Sequence, residues 1–482
     1  MPILTPLHRW AESFPDQVAV AVDGVSLSYA QLRERILDVP ATHGLTVISR
    51  ANSVDVVVQF LAGVSGSGCV AMLDPCWPAE QRADVEGRLR TIAAGSGAAG
   101  PGAPGPGELS TVGLTDGPDD STFLYGFTSG TTALPKAFRR TRRSWQRSLA
   151  QSAGVLQATR HDRTLVPGPL TASLNLYALA ESLYAGGSFH TLARFDVAAV
   201  FDSLEHERIT RLVAVPTVLR MLADRAVAAG RVDRGLACIV SGGANLDAAT
   251  TTLLQRWAPH ATIVSYYGAA ELGFVAVSSL PPGDTPESSE SNSDSNTGVG
   301  RPFPGVSVRI ADDEGRPLPA GTAGTIQVVS DFVCDGYLWG DDGAAFARVG
   351  GWCTVGDQGV IDESGVLHLL GRRADMIVSG GTNVYPQEVE AALHAVPGVQ
   401  AAVVTGRPDA ARGSRVVAAV VAGPELDAAL LRSACVRALA GAHRPRDFFR
   451  LTELPVTPAG KVSRSLLARW IDEEDPRVIR LR

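Results

Sequence analysis

"FTSGTTALPKAF", Phe127 to Phe138, sets the fold and the chemistry expected of this chain. The apolar run "TFLYGF" (122 to 127) has strand composition and leads directly into Thr128, Ser129, Gly130, Thr131 and Thr132, then Pro135 and Lys136. Small hydroxyl residues around a glycine let N–H and O–H donors converge on an anion, and a lysine adds a compact positive charge. The pattern is that of a phosphate cradle. No Gly-Lys-Ser/Thr follows, which argues against a kinase or GTPase P-loop. The alternative is a Ser/Thr-rich turn beside a solvated lysine. Composition favours the cradle: of 43 Lys and Arg residues all but Lys136 and Lys461 are Arg, although lysine is normally among the commonest residues. Lys461 lies in "LPVTPAGKVSRSLL", a loop punctuated by Pro455, Pro458 and Gly460 that ends in a short amphipathic helix. A loop-borne ammonium reaches a single oxygen where a guanidinium fork does not fit. Both lysines are therefore read as oxyanion contacts.

The chain around them reads as α/β. "QVAVAV" and "GLTVIS" have strand character, whereas "SYAQLRERIL" and "SVDVVVQFLAGV" have helical spacing. At 482 residues two or three subdomains are expected. The expected class is a large amino-terminal domain of α/β sheets with a β-rich subdomain around "GVSVRIADDEGRPLPAGTAGTIQVV", followed by a small mobile α+β domain. The segment "AGSGAAGPGAPGPGELS" (94 to 110) contains Gly95, Gly97 and Gly100 in GxGxxG spacing, but the prolines and glycines that follow cannot form the required helix, so it reads as a linker. A Ser/Asp/Glu-rich stretch (278 to 298) reads as a surface loop.

A formal net charge of −7 and 45% hydrophobic residues give no sign of a nucleic-acid partner. The amino terminus lacks the pattern of a secretory signal and no apolar segment is long enough to span a bilayer, so a cytoplasmic location is expected. Six cysteines are scattered without a CxxC pair and suit neither a disulfide frame nor a zinc site.

Several motifs in order make the chain resemble the superfamily of adenylate-forming enzymes, which includes acyl-CoA ligases, peptide-synthetase adenylation domains and luciferases. "TSGTTALPK" looks like its phosphate loop, and "SGGANLD" (241 to 247) and "YYGAAE" (266 to 271) like its adenine and magnesium segments. "GWCTVGDQG" carries Asp357, "GRRADMIVSGGTNVYPQEVE" (371 to 390) looks like the junction to a mobile carboxy-terminal domain, and "TPAGKVSR" carries Lys461. The resemblance runs nearly end to end and is closest to a free-standing acyl-CoA ligase.

The resemblance implies residues 1–371 as the adenylation core and 372–482 as the mobile domain. It implies ATP, Mg²⁺ and CoA. A carboxylate attacks the α-phosphorus of ATP, so negative charge builds on the phosphoryl oxygens before pyrophosphate leaves, and cations must offset it. On this basis Thr128 to Thr132 and Lys136 grip the β and γ groups, Glu271 holds the metal, and Lys461 bridges substrate carboxylate and α-phosphate. Asp357 accepts from the ribose hydroxyls with Arg372 beside it; Tyr267 stacks on adenine, with Gly243, Ala244, Tyr266 and Gly268 around the nucleotide. Rotation about a hinge at Ala374 then presents Gly380 and Gly381 to the pantetheine of the thiol.

Three departures from the family pattern stand out. Ala133 and Ala137 replace glycines, Ala270 replaces the hydroxyl residue before the magnesium glutamate, and Ala172 replaces a bulky residue. No acid precedes Glu181 in "LTASLNLYAL", which disfavours an α-amino acid substrate. Ala172, Ser173 and Gly242 as pocket lining suggest a bulky aryl or polycyclic apolar acid. The basic run "RRTRR" (139 to 143) is either a face for CoA phosphates or an acidic carrier protein, or a solvated surface. A separate acyl carrier protein or an amine as acceptor, and a non-catalytic nucleotide-binding relative, remain open.

Overall fold

The computed structural model describes residues 3–40, 44–95, 114–128, 134–285, 298–341, 346–457 and 461–481. These gather into two compact units, one drawn from 1–289, 300–308 and 328–355, the other from 290–299, 309–327 and 356–482.

The larger unit holds two sheets. In one, Leu45–Ile48, Cys69–Met72 and Thr122–Thr128 run parallel, and Lys136–Thr141 and then Tyr337–Trp339 extend the edge antiparallel. The other places Val18–Val22, Ser188–Thr191, Arg163–Val166, Arg211–Ala214, Cys238–Gly242 and Thr262–Ala269 side by side in parallel, closed by antiparallel Gly273–Leu280. Such strands are buried on both faces, which is why they read as continuous apolar runs. Leu212, Ile239 and Ile263 point from one face into a core with Leu222, Leu254 and Trp257 of the helices Pro216–Ala228 and Ala248–Trp257. Each fully buried aliphatic side chain there contributes on the order of 2 kcal/mol. Asp247 starts the second helix by accepting from the Thr250 N–H at 2.8 Å.

In the smaller unit, Val399–Asp409 and Gly413–Ala422 form a long hairpin, with Asp447–Leu451 parallel to its second strand. Alternation along that strand covers both faces: Val416, Ala418 and Val420 meet Leu393 and Leu431 of Pro386–His394 and Ala428–Ala438, while Val417 and Ala419 meet Leu467 and Ile471 of Arg464–Asp472. A second hairpin, Asp357–Ile361 with Leu367–Arg372, pairs with Gly324 and Thr325.

The expected α/β class holds, and so do the four sampled elements: Val18–Val22 and Leu45–Ile48 are strands, and Tyr29–Leu37 and Val54–Gly63 are helices. The Gly/Pro linker from residue 96 and residues 286–297 of the expected surface loop lie outside the described residues. Ser278–Leu280, assigned to that loop, belong to a strand instead. The basic run is only half a solvated face. Arg140 and Arg142 are buried, whereas Arg139 and Arg143 are exposed, Arg143 pairing with Asp120 at 2.9 Å. No helix among the described residues is long and apolar enough to cross a membrane.

Candidate active site

Thr128 closes one strand and Lys136 opens the next, and the two face each other across the hairpin. The connection between them carries Ser129, Gly130, Thr131 and Thr132, which lie outside the described residues. The Lys136 end is shaped by Gly340 (φ +79°), where a Cβ would stand 2.9 Å from Lys136 Cγ. Trp339 donates its indole N–H to the Pro135 carbonyl at 2.9 Å, which fixes the edge segment beside the connection.

Glu271 sits in the turn of the hairpin Thr262–Ala269/Gly273–Leu280, 5% exposed. Its carboxylate accepts from the Tyr337 hydroxyl, and its carbonyl accepts from the Cys334 N–H at 2.7 Å. Thr128 Oγ1 stands 3.2 Å from the same tyrosine oxygen. Arg140 donates to the carbonyls of Ala270 (2.7 Å) and Phe332 (2.6 Å). Burial holds that guanidinium below its ordinary pKa, with Cys334 and Glu271 working the other way. Burial also pushes the Tyr337 hydroxyl well up, and Glu271 adds to the shift. Thr128 and Glu271 are thus brought together as expected. Tyr337 and Arg140, which link them, escaped sequence reasoning; the one available signal was strand alternation placing Phe138 and Arg140 on one face.

Tyr266, Tyr267 and Gly268 lie on the first strand of the Glu271 hairpin, and Gly243 and Ala244 follow the end of its parallel neighbour. Ligands of open α/β sheets bind at these carboxyl ends of strands. Gly243 has φ +87° and is exposed with Ala244. At Gly268 a Cβ would lie 2.3 Å from the Gly273 carbonyl oxygen, so the turn requires glycine. Tyr267 is 8% exposed. Gly242 pairs with Tyr266, and a Cβ there would meet Tyr266 Cζ at 2.5 Å. The space left by that missing side chain is filled by the Tyr266 ring, which also stands edge-on to Phe274 at 4.7 Å. Burial and then the Glu181 carboxylate push its hydroxyl pKa up. Ala172 is the N-cap and Ser173 the first residue of the helix Ser173–Ala185, and Ser173 is exposed.

In the smaller unit Asp357 and Arg372 face each other at one end of their hairpin, and Arg372 Nε donates to Asp357 Oδ1 at 3.1 Å. The carboxylate is buried and the guanidinium largely exposed. Lys461 is exposed where the chain doubles back: Thr457 N–H donates to the Lys461 carbonyl at 2.7 Å, and Lys461 N–H donates to Thr457 Oγ1 at 3.2 Å. Arg464, three residues on, donates to Glu390 at 2.7 Å and stands 3.6 Å from Asp375, the neighbour of Ala374 in the 3₁₀ turn Arg373–Asp375. Gly380 (φ +59°) and Gly381 (φ +80°) form an open turn with no atom within 4 Å of either added Cβ.

A family described as AMP-binding enzyme matches residues 105–338, and its carboxy-terminal domain matches 388–461. An uncharacterized acyl-CoA ligase of Bacillus subtilis, YhfT, is 31% identical over 96% of this chain and 97% of its own. The chain belongs to the AMP-binding enzyme family. The resemblance read from the ordered motifs is borne out at that level. This AMP-binding enzyme is also 33% identical to the 2-succinylbenzoate–CoA ligase of Bacillus velezensis, over 72% of this chain and 68% of that one. Its fold matches the amide bond synthetase McbA from Marinactinospora thermotolerans with a TM-score of 0.74 at 26% identity, covering 97% and 99% of the two chains.

Proposed function

We propose that this AMP-binding enzyme is an ATP-dependent carboxylic acid:CoA ligase: acid and ATP give acyl-adenylate and pyrophosphate, and thiol transfer then gives acyl-CoA and AMP. The observation that carries this is the joining of Thr128 and Glu271 through one tyrosine hydroxyl, beside a strand that opens with Lys136. In this reading Thr128 begins an anion grip and Glu271 beside it is the cation-holding carboxylate. Among the described residues no three His, Cys, Asp or Glu gather into a metal cage. Glu271 instead suits Mg²⁺, which binds through one or two carboxylates together with substrate phosphates and water. When bound, that ion neutralises phosphate charge during displacement.

Within the proposal Thr128 to Thr132 and Lys136 hold the terminal phosphates, Tyr267 with Gly243, Ala244 and Gly268 takes the adenine, and Asp357, braced by Arg372, takes the ribose hydroxyls. Lys461 on its doubled-back loop supplies the ammonium for carboxylate and α-phosphate. Residues 372–482 act as the mobile domain, with Ala374 as hinge and the Gly380–Gly381 turn admitting pantetheine. CoA as acceptor is supported by the two CoA-ligase relatives. Transfer to an amine is the second possibility, favoured by the likeness to an amide bond synthetase. Support for a bulky aryl or polycyclic acid comes from Ala172 and Ser173, and from a relative acting on 2-succinylbenzoate; the Tyr266 ring takes up room beside Gly242.

The test is mass spectrometry of products from ATP, Mg²⁺ and pooled carboxylic acids, with and without CoA. Acyl-CoA with AMP is expected; adenylate that persists despite CoA would move the assignment to an amine or a carrier protein. Lys461→Ala should cut adenylate formation by about a hundredfold or more, as loss of a charge-stabilising group does, and leave thiol transfer from a supplied acyl-adenylate largely intact. Equal loss of both half-reactions would refute this division of labour.

A further inference from the structure

Glu271 is a buried carboxylate, and an ionised carboxylate is an acceptor only, so it requires donors or a cation. The nearby guanidinium of Arg140 does not serve it directly, because its terminal nitrogens donate to the carbonyls of Ala270 and Phe332 and to Ser144 Oγ. Among the described residues the only side-chain donor to the carboxylate is the Tyr337 hydroxyl. A tyrosine hydroxyl has one hydrogen. Because Tyr337 spends it on Glu271, the 3.2 Å contact with Thr128 must run from Thr128 O–H to the tyrosine oxygen. The direction of the relay is therefore fixed: Thr128 to Tyr337 to Glu271.

The backbone holds this relay in place. Tyr337 lies opposite Phe138 at the sheet edge, its ring edge-on to Phe138 at 6.2 Å. The Cys334 N–H binds the Glu271 carbonyl, and Arg140 ties both Phe332 and Ala270 to the strand that starts at Lys136. The segment 332–337 and the turn 270–271 are thus clamped to the same strand from both sides.

Resting on the ligase function above, we infer that Tyr337 is a positioning residue for the cation-binding carboxylate, its hydroxyl taking the place of the side-chain hydroxyl that Ala270 lacks. It aims Glu271 toward the metal and couples that carboxylate to the first threonine of the phosphate grip. Arrival of a terminal phosphate competes with the Tyr337 oxygen for the Thr128 hydrogen, while Tyr337 keeps its own hydrogen on Glu271. Cation binding and phosphate binding are coupled through one oxygen.

Tyr337→Phe keeps the ring and its packing and deletes only the hydroxyl. With the full chain, calorimetric titration of ATP is compared in MgCl₂ and in EDTA, and Mg²⁺ is titrated at fixed ATP. Tyr337→Phe is expected to raise the Mg²⁺ needed for half-maximal nucleotide binding about tenfold, the loss of one hydrogen bond to a charged group, with ATP affinity in EDTA unchanged. The double variant Tyr337→Phe/Ala270→Thr, which returns a hydroxyl from the other side, should recover most of the Mg²⁺ affinity. An unchanged Mg²⁺ requirement, equal weakening with and without Mg²⁺, or no recovery in the double variant would each overturn the inference. A native chain that binds no nucleotide in Mg²⁺ would overturn the ligase assignment and the inference together.

Discussion

At Gly242 a single missing side chain has been used by a neighbour. In the proposed acid pocket, the Tyr266 ring lying against that backbone would limit how far an acid extends along this wall. Tyr266→Ala should therefore admit acids with an added ring or branch, raising kcat/KM for them by about tenfold or more relative to the native preference, the range over which pocket shape discriminates. Rates across an acid panel check this; an unchanged ranking would show that the ring does not border the acid. Asp357→Asn keeps the shape of the side chain and removes its charge, and should raise the KM for ATP by about tenfold to a hundredfold, as for loss of hydrogen bonds to a charged group, while urea unfolding moves little. The two lysines stood out in the sequence because lysine is rare in this chain, and Asp357 and Glu271 were picked out by the ordered motifs that hold them. Tyr337 was not legible, since a tyrosine after a glycine carries no signal until strand pairing sets it opposite Phe138. Nor was the Tyr266 ring over Gly242, since contact between residues 24 positions apart depends on parallel register.

Among elements, the strand Lys136–Thr141 and the helix Arg142–Val155 show where composition misleads. Four arginines in five residues suggest a basic surface, yet period-two alternation and the strand-to-helix turn carry two of them inside. Arg142 is fully buried and donates to the carbonyls of Val64 (3.1 Å) and Gly68 (2.6 Å) and to Ser121 Oγ (2.6 Å). It ties the loop 64–68 and the start of the strand Thr122–Thr128 to the helix. Arg142→Leu strands those acceptors and should cost about 3 kcal/mol, read as a lower urea midpoint; a cost below about 1 kcal/mol would mean that water replaces the guanidinium. The Asp357 hairpin carries an acid-labile brace at its far end. Burial raises the Asp362 pKa, but hydrogen bonds from Ser364, His368 and the Val366 N–H outweigh it and leave the carboxyl well below the usual range. A depressed folded-state pKa contributes stability above the unfolded value of about 4 and loses it as pH falls through that value and below. Amide protection across 357–372, measured against the intrinsic exchange rate at each pH, should fall below about pH 4, where carboxylates ordinarily protonate, and Asp362→Asn should flatten that dependence; a hairpin whose protection is indifferent to acid would exclude the brace.

Across the whole molecule, α/β construction was legible from the repeated alternation of apolar runs and helical spacing, because parallel strands buried on both faces favour short continuous apolar runs. The order of strands within each sheet, and with it the meeting of residues near 128, 271 and 337, was not legible, because pairing partners are set by packing rather than by any one segment.

The scarcity of lysine has a further consequence once Lys461 is placed on an exposed, doubled-back loop and Lys136 at the opening of a strand. An acyl-adenylate is a mixed anhydride and an acylating agent toward any neutral amine, and guanidinium groups, always protonated, are poor targets for it. A ligase that holds or leaks such an intermediate while its acceptor is scarce would damage a lysine-rich surface, its own first. With 41 of 43 cationic side chains as Arg, this surface offers few amines to acylate, although Cys76 presents an exposed thiol. Intact-mass analysis after prolonged turnover without acceptor should show adducts at no more than the two lysines, the amino terminus and the exposed Cys76 thiol, with Lys461 the first amine to be modified.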